Sequence, residues 1–284
     1  MKTRIIIISA VLALSALTMS AQPRMSRSQA MELWPDGIPD KYEMPENRFG
    51  DYSIPKVTIY PARNPNGLCV VECPGGGYYM LSDSHEGHGF ADWFNARGIT
   101  YVVVSYRMPC GHDKAPMTDV ERAIQIVKGK AAELGIKKIG VMGCSAGGHL
   151  ASTIATHYTS AETKPDFQIL WYPVITMDKA LTHAGSREGL LGENPSEDLV
   201  KLYSNELQVT KETCPAFIVL AMDDFTVKPE NSFRYMNALI NAGVKGNQML
   251  VFPTGGHGFG VNDSYIYKSQ WSTALDAWLQ TINK

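Results

Sequence analysis

Short apolar runs alternate with segments of helical periodicity along most of the chain. The run at 99–105 is almost continuously apolar, which is typical of a strand covered on both faces. The segment 119–134 instead places Val120, Ala123 and Val127 on one stripe, which predicts an amphipathic helix. The whole pattern predicts strands at 57–60, 68–73, 99–105, 138–142, 167–172, 216–221 and 248–252, and helices at 87–97, 119–134, 145–158, 229–242 and 264–282.

This alternation predicts an α/β fold in which helices cover both faces of a mostly parallel central sheet. Residues 22–55 are rich in proline, glycine and charge, and they predict an irregular surface arm with room for one edge strand. Residues 173–215 are the longest stretch without a clear strand. We expect them to form an insertion over the carboxyl end of the sheet, where ligands bind in such folds. No repeat or linker divides the range 22–284, so we expect one domain there.

The first residues have the pattern of an export signal. Lys2 and Arg4 precede an apolar run at 5–17, and small residues surround a potential cleavage point after Ala21. Because the run is short for a membrane span, it predicts a cleaved signal peptide at 1–21 rather than an uncleaved anchor. We therefore expect an exported protein, periplasmic or extracellular, that is not inserted in a membrane once the signal is removed.

Composition narrows the class of protein. Hydrophobic residues make up 44% of the chain and charged residues 19%, with a net charge of -2, as in a folded soluble protein. No basic stripe indicates a nucleic-acid partner. The five cysteines are odd in number, so at least one stays unpaired within the chain. Since no Cys or His cluster has the spacing of zinc ligands, we expect no structural metal.

The main chemical signal is the sequence Gly143-x-Ser145-x-Gly147, between a predicted strand and a predicted helix. A serine at such a turn adopts a strained backbone conformation, and small neighbours allow the turn to close. The helix N-terminus also places free N–H groups and a positive dipole beside the hydroxyl. This context favours Ser145 as a nucleophile over an incidental serine in a glycine-rich turn.

Three consecutive glycines, Gly75 to Gly77, follow the strand at 68–73. Backbone N–H groups without side chains around them can approach a ligand closely. We expect the N–H groups of Gly76 and Gly77 to form an oxyanion hole with that of Ala146. The alternative of a phosphate-binding loop fails because no Lys-Ser or Lys-Thr follows the glycines.

A base and an acid follow the last two predicted strands. His257 lies among glycines after the strand at 248–252, where an imidazole is on an open loop rather than in a core. Asp223 and Asp224 follow the strand at 216–221, and either carboxylate can hold the imidazole tautomer. The pattern favours Asp224 and leaves Asp223 to cap the loop. The order Ser, Asp, His is that of α/β-hydrolases.

At these motifs the chain resembles the α/β-hydrolase serine esterases, and more narrowly the bacterial acetylxylan-esterase-like and feruloyl-esterase-like group. The resemblance extends from about residue 70 to residue 260. Pro74 stands where the lipase branch usually has histidine before the glycines. Cys144 and Lys228 depart from the usual pattern, the latter within the loop that carries Asp224. The resemblance implies a Ser-His-Asp acyl-enzyme mechanism on carbohydrate esters, most often O-acetyl esters, without a cofactor.

Three aromatic residues, Tyr78, Trp171 and Tyr172, lie at predicted strand ends near this site, and we expect them to line the substrate. Aromatic faces suit a sugar ring, although core packing explains Trp171 equally well. The rival functions are a lipase or peptidase on the same fold, or a hydrolase-like protein that only binds. The range 173–215 is too polar for a lipase lid, and the intact motifs count against a protein that only binds.

Overall fold

A computed structural model describes residues 28–46 and 50–284. The predicted signal peptide at 1–21 lies outside the described residues. Eight strands form one sheet in the described part of the chain, in the spatial order β1-β2-β4-β3-β5-β6-β7-β8. They are β1 (Gln29–Glu32), β2 (Lys56–Tyr60), β3 (Leu68–Cys73), β4 (Thr100–Ser105), β5 (Lys138–Cys144), β6 (Phe167–Trp171), β7 (Ala216–Ala221) and β8 (Gln248–Phe252).

The sheet is antiparallel at one edge and parallel elsewhere. Strands β1 and β2 pair antiparallel, and β2 pairs antiparallel with β4. Every pair from β4 to β8 is parallel. The carboxyl ends of β3, β5, β7 and β8 therefore point the same way, so the loops that follow them meet at one edge of the sheet. This arrangement confirms the predicted α/β class, and β1 is the edge strand within the arm at 22–55.

Helices cover both faces of the sheet. Val71 and Val141 point to one face, where they pack with residues of α2, α4 and α7. Their strand neighbours Val70 and Met142 point to the other face, where α1 and α8 contribute the cover, because side chains alternate along a strand. The helices are α1 (Ala91–Asn95), α2 (Ala115–Gly129), α3 (Ala131–Leu134), α4 (Ala146–His157), α5 (Ala184–Leu191), α6 (Glu197–Leu202), α7 (Glu230–Asn241) and α8 (Lys268–Ile282).

The predicted helices differ from the observed ones mainly at their ends. The helix predicted at 119–134 begins earlier, at Ala115, because Pro116 suits the first turn of a helix. It is then interrupted at Lys130, whose φ of -100° and ψ of 5° leave the helical range. The range 173–215 has no strand in the structure but contains α5, α6 and a short 3-10 helix. The description of 22–284 as a single domain remains a prediction.

No helix in the described part of the chain combines the length and apolar character needed to cross a membrane. The five cysteines are all free thiols, and four of them are buried. Cys110 is the exposed one.

Candidate active site

Ser145 occupies a sharp turn between β5 and α4. Its φ of 55° and ψ of -120° lie in a region that residues with a side chain rarely adopt. Two hydrogen bonds hold this conformation: the Ser145 N–H donates to the carbonyl of Trp171 at 2.9 Å, and the Ser145 carbonyl accepts from Val174 at 3.0 Å. The surrounding strands thus fix a strained backbone that presents the serine hydroxyl, as the Gly-x-Ser-x-Gly pattern predicts.

Close backbone packing explains why both glycines of the motif are required. A Cβ atom added to Gly143 would overlap the carbonyl oxygen of Gly147. A Cβ atom added to Gly147 would overlap the carbonyl oxygen of Cys73, at the end of β3. Because both obstacles are backbone atoms, they cannot turn aside as a flexible side chain can. Helix α4 therefore approaches the sheet this closely only when both positions lack a side chain.

Three loops bring a hydroxyl, an imidazole and a carboxylate into one line. The Nε2 atom of His257 lies 2.8 Å from Oγ of Ser145, and its Nδ1 atom lies 2.7 Å from Oδ2 of Asp224. Since a carboxylate only accepts hydrogen bonds, the Nδ1–H donates to Asp224, which leaves Nε2 to accept the proton of Ser145. Asp224 is almost fully buried, and its other oxygen accepts the N–H groups of Thr226 and Val227 at 2.9 Å each.

The adjacent acid has a separate contact. Oδ1 of Asp223 accepts a hydrogen bond from the N–H of Gly256 at 2.7 Å. The structure therefore brings Asp224 to His257, while Asp223 caps the backbone of the histidine loop. The sequence left both acids as candidates because neighbouring residues at a strand end differ only in the direction of their side chains.

The glycine loop lies against the serine. A Cβ atom added to Gly75 would lie 3.1 Å from Cβ of Ser145, so the two loops are in contact. Gly76 and Gly77 have φ values of 125° and 69°, and the Gly76 carbonyl accepts from Tyr79 and Met80 within the turn. No acceptor among the described residues bonds to the N–H groups of Gly76, Gly77 or Ala146. These three predicted oxyanion donors are thus uncommitted.

The prediction that aromatic side chains line the substrate is wrong for Trp171 and Tyr172, which are at most 1% exposed and present no aromatic face to a ligand. Tyr78 is buried to the same extent but borders a cavity, so its predicted role stays a prediction. The Tyr78 hydroxyl lies 2.9 Å from Nδ1 of the buried His149, and Trp171 packs edge-on to Trp271. The error has a physical cause: helices cover both faces of the sheet, so a strand end near the site still points its side chains into a core.

Tyr172 instead connects two of the site loops, through a residue that the sequence did not single out as catalytic. Its hydroxyl donates to Oε1 of Glu86 at 2.7 Å and accepts from the N–H of Gly260 at 2.8 Å. A Cβ atom on Gly75 would overlap Oε2 of Glu86, so this carboxyl group also touches the glycine loop. Burial raises the pKa of Glu86, against the opposing effect of the Tyr172 hydrogen bond. The only sequence signal was that Glu86 lies in the loop between the glycine motif and α1, where it could line the cleft.

Comparison with known proteins agrees with this geometry. The family described as alpha/beta hydrolase fold matches residues 70–261, which is more than half of the chain. The chain belongs to the α/β-hydrolase family. An acetylxylan esterase from Xylanibacter ruminicola is 41% identical to this α/β-hydrolase over 233 residues, which cover 80% of this chain and 48% of the relative. An endo-1,4-beta-xylanase B from Butyrivibrio fibrisolvens is 38% identical over 231 residues, 75% of this chain and 36% of that protein.

This α/β-hydrolase therefore spans about half or less of the length of the two curated relatives it matches. A solved structure matches it over nearly its whole length. The acetyl ester-xyloside bifunctional hydrolase from Caldicellulosiruptor lactoaceticus superposes with a TM-score of 0.81 and 33% identity, covering 92% of this chain and 98% of the other. The resemblance to carbohydrate esterases that the motifs predict is thereby confirmed.

Proposed function

We propose that this chain is an exported serine esterase that removes ester groups, chiefly O-acetyl groups, from carbohydrate. The observation that carries the proposal is the hydrogen-bonded line from Ser145 through His257 to Asp224. The similarity to an acetylxylan esterase and to an acetyl ester-xyloside hydrolase supports carbohydrate esters as the substrate class.

The first half-reaction forms an acyl-enzyme. Oγ of Ser145 attacks the ester carbonyl carbon while Nε2 of His257 takes the hydroxyl proton. The carbonyl oxygen becomes an oxyanion, which the N–H groups of Ala146 and of Gly76 or Gly77 stabilise. The tetrahedral intermediate collapses as the bond to the alcohol oxygen breaks, and His257 gives its proton to that oxygen. The sugar leaves as an alcohol, and the acyl group stays on Ser145.

The second half-reaction repeats these roles with water. His257 takes a proton from water, whose oxygen attacks the acyl carbon, and the oxyanion forms at the same N–H groups. Collapse then returns the proton to Oγ of Ser145 and releases the carboxylic acid. Asp224 stabilises the imidazolium in both halves and keeps the Nδ1–H tautomer, so that Nε2 is always free to accept a proton.

Acetate release from acetylated xylan and from acetylated xylo-oligosaccharides tests this proposal. We expect the wild type to release acetate and Ser145→Ala to lose at least about 10⁴-fold in kcat, as when a catalytic nucleophile is removed. Ser269→Ala is the matched control, because that serine is exposed on α8 and bonds only its neighbour Gln270. Equal rates for wild type and Ser145→Ala would refute the mechanism, and activity confined to triglycerides would refute the substrate class.

Export rests on the sequence pattern at 1–21 and is tested separately. The full chain is expressed in a Gram-negative host, and the periplasm, medium, membranes and cytoplasm are separated. We expect mass spectrometry to find a chain that begins at Gln22 in the periplasm or the medium. A full-length chain retained in the cytoplasm or in the membrane fraction would contradict export.

A further inference from the structure

We propose that His183 is a substrate-binding residue whose Nε2–H donates a hydrogen bond to an oxygen of the sugar that carries the ester. The inference rests on the proposed function and extends it, since it assigns a side chain to recognition of the alcohol half of the substrate. No sequence pattern distinguishes His183 from the other loop histidines.

His183 lies beside the predicted oxyanion hole and close to His257 and Asp224. A Cβ atom added to Gly77 would lie 3.7 Å from Cε1 of His183, so the imidazole covers the open side of that glycine. The pKa of His183 is lowered mainly by burial and also by the neighbouring His257, while Asp224 raises it. The ring is thus within electrostatic range of the triad as well as next to a predicted oxyanion donor.

The position of His183 is fixed by the loop that carries Asp224. Nζ of Lys228 donates to the carbonyl of Ala180 at 3.0 Å, and Nδ2 of Asn231 donates to the carbonyl of Leu181 at 3.3 Å. These bonds tie the segment just before His183 to the start of α7. His183 then begins α5 as its N-cap. The hydrogen bonds before His183 and the helix after it therefore fix the position of the imidazole relative to the triad.

Its tautomer is also fixed. Nδ1 of His183 accepts the N–H of Ser186 at 3.2 Å and lies 2.8 Å from Oγ of the same residue. A ring nitrogen that accepts from an amide carries no proton, so the proton of the neutral ring is on Nε2. The lowered pKa keeps the ring neutral near pH 7. Within the described ranges no side chain or carbonyl accepts from Nε2, which leaves a fixed donor at the edge of the cleft.

The chemistry of the ester indicates which half of the substrate this donor contacts. An ester bound with its carbonyl oxygen at Gly77 projects its acyl group and its alcohol to opposite sides. An acetyl group ends in a methyl, which accepts no hydrogen bond, so the acceptor for Nε2–H belongs to the alcohol. A sugar offers hydroxyl and ring oxygens there, whereas a simple aryl alcohol such as phenol offers only the ester oxygen itself.

A cavity large enough for further sugar units lies on the far side of Tyr79 from His183. It has a volume of about 760 Å³ and is lined in part by Tyr79, Gly189 and Glu188. A Cβ atom added to Gly185 would lie 3.3 Å from the Tyr79 ring and 3.1 Å from Cε1 of His183, so the two rings are neighbours. His183 therefore adjoins a residue that lines the cavity.

The test compares a sugar ester with an ester that lacks sugar oxygens. His183→Asn is the informative variant, because asparagine is a good N-cap and can accept from Ser186, but it does not extend to the position of Nε2. For each protein we take the ratio of kcat/KM on an acetylated xyloside to kcat/KM on p-nitrophenyl acetate. We expect this ratio to be about tenfold lower in His183→Asn than in the wild type. His157→Asn is the control: it removes a histidine bonded to the Leu202 carbonyl at the end of α4, and we expect that ratio to stay unchanged.

A second measurement changes the substrate. Wild-type protein is assayed on acetylated xylosides from which one hydroxyl at a time has been removed, and we expect one deoxy compound to lose about tenfold in kcat/KM. His183→Asn should not discriminate against that same compound. A ratio of sugar to aryl activity within twofold of wild type in His183→Asn would overturn the role of His183. Wild-type activity on p-nitrophenyl acetate without activity on any acetylated sugar would instead overturn the carbohydrate proposal itself.

Discussion

The carboxylate of Asp223 accepts the N–H of Gly256 at 2.7 Å, one residue before the imidazole that the next acid contacts. Two adjacent carboxylates thus act on one loop in different ways. Asp223 fixes the backbone of the loop, and Asp224 fixes the ring of His257. The first contact needs only an acceptor, whereas the second also sets which ring nitrogen carries the proton.

These different needs predict a large loss at one position and almost none at its neighbour for the same substitution. Asp224→Asn places an amide against Nδ1 and favours the wrong tautomer, so we expect kcat for p-nitrophenyl acetate to fall about 10⁴-fold. Asp223→Asn keeps an oxygen that accepts from Gly256, and we expect kcat to change by less than about threefold. Equal losses in the two variants would show that the acids do not divide the work in this way.

The close packing around Gly147 predicts that a side chain there lowers the stability of the fold. Its Ala variant places a methyl group onto the Cys73 carbonyl, so α4 and β3 must separate. We expect Gly147→Ala to lower the free energy of unfolding by about 3 kcal/mol or more, measured by denaturant titration. Gly129→Ala is the control, because that helical glycine has no neighbour within 4 Å of an added Cβ. There we expect a small gain of about 0.5–1 kcal/mol. A stable Gly147→Ala protein would contradict the close contact.

Removal of the Tyr172 hydroxyl should lower both stability and activity, whereas removal of a buried hydroxyl elsewhere should lower stability alone. Tyr172→Phe leaves Glu86 and the Gly260 N–H without their shared partner, which should lower stability by about 1–3 kcal/mol and kcat by about tenfold as the histidine loop loosens. Tyr235→Phe removes a buried hydroxyl that bonds Gln168 at 3.0 Å, away from the triad. It should lower stability to a similar extent without changing kcat. If both variants changed kcat equally, the Tyr172 contact would have no special role.

The buried Glu72 predicts a pH dependence of stability. Burial, and then the charge of Glu86, raise the pKa of Glu72 well above its usual value. Folding therefore favours the protonated form, and its contribution is complete below the unfolded pKa of about 4.3 and is lost as pH rises towards the folded pKa. One such group changes the free energy of unfolding by up to about 1.4 kcal/mol per pH unit.

The matching variant is Glu72→Gln, which is neutral at every pH. We expect wild type to lose stability relative to this variant between pH 5 and pH 8, measured by urea unfolding. Glu133→Gln, at an exposed position on α3, should follow wild type throughout. A constant difference between wild type and Glu72→Gln over this range would mean that Glu72 does not change its protonation state on folding.

The strands show where sequence patterns suffice. The strands predicted at 68–73, 216–221 and 248–252 have the observed bounds of β3, β7 and β8, because continuous apolar runs end at turn residues. Helix ends were less accurate. The single helix predicted at 119–134 missed the interruption at Lys130, where the apolar pattern continues but the backbone leaves the helical conformation. A hydrophobic pattern records burial and not the local dihedral angles.

Local residue order was enough to predict the α/β class, the serine turn and the loops that carry the acid and the histidine. The three-dimensional structure was needed to show that Asp224 rather than Asp223 reaches His257, that Trp171 and Tyr172 are buried, and that Glu86 and His183 adjoin the site. Those facts depend on the direction of side chains from segments far apart in the chain. Direction is set by packing between layers, which no local pattern specifies.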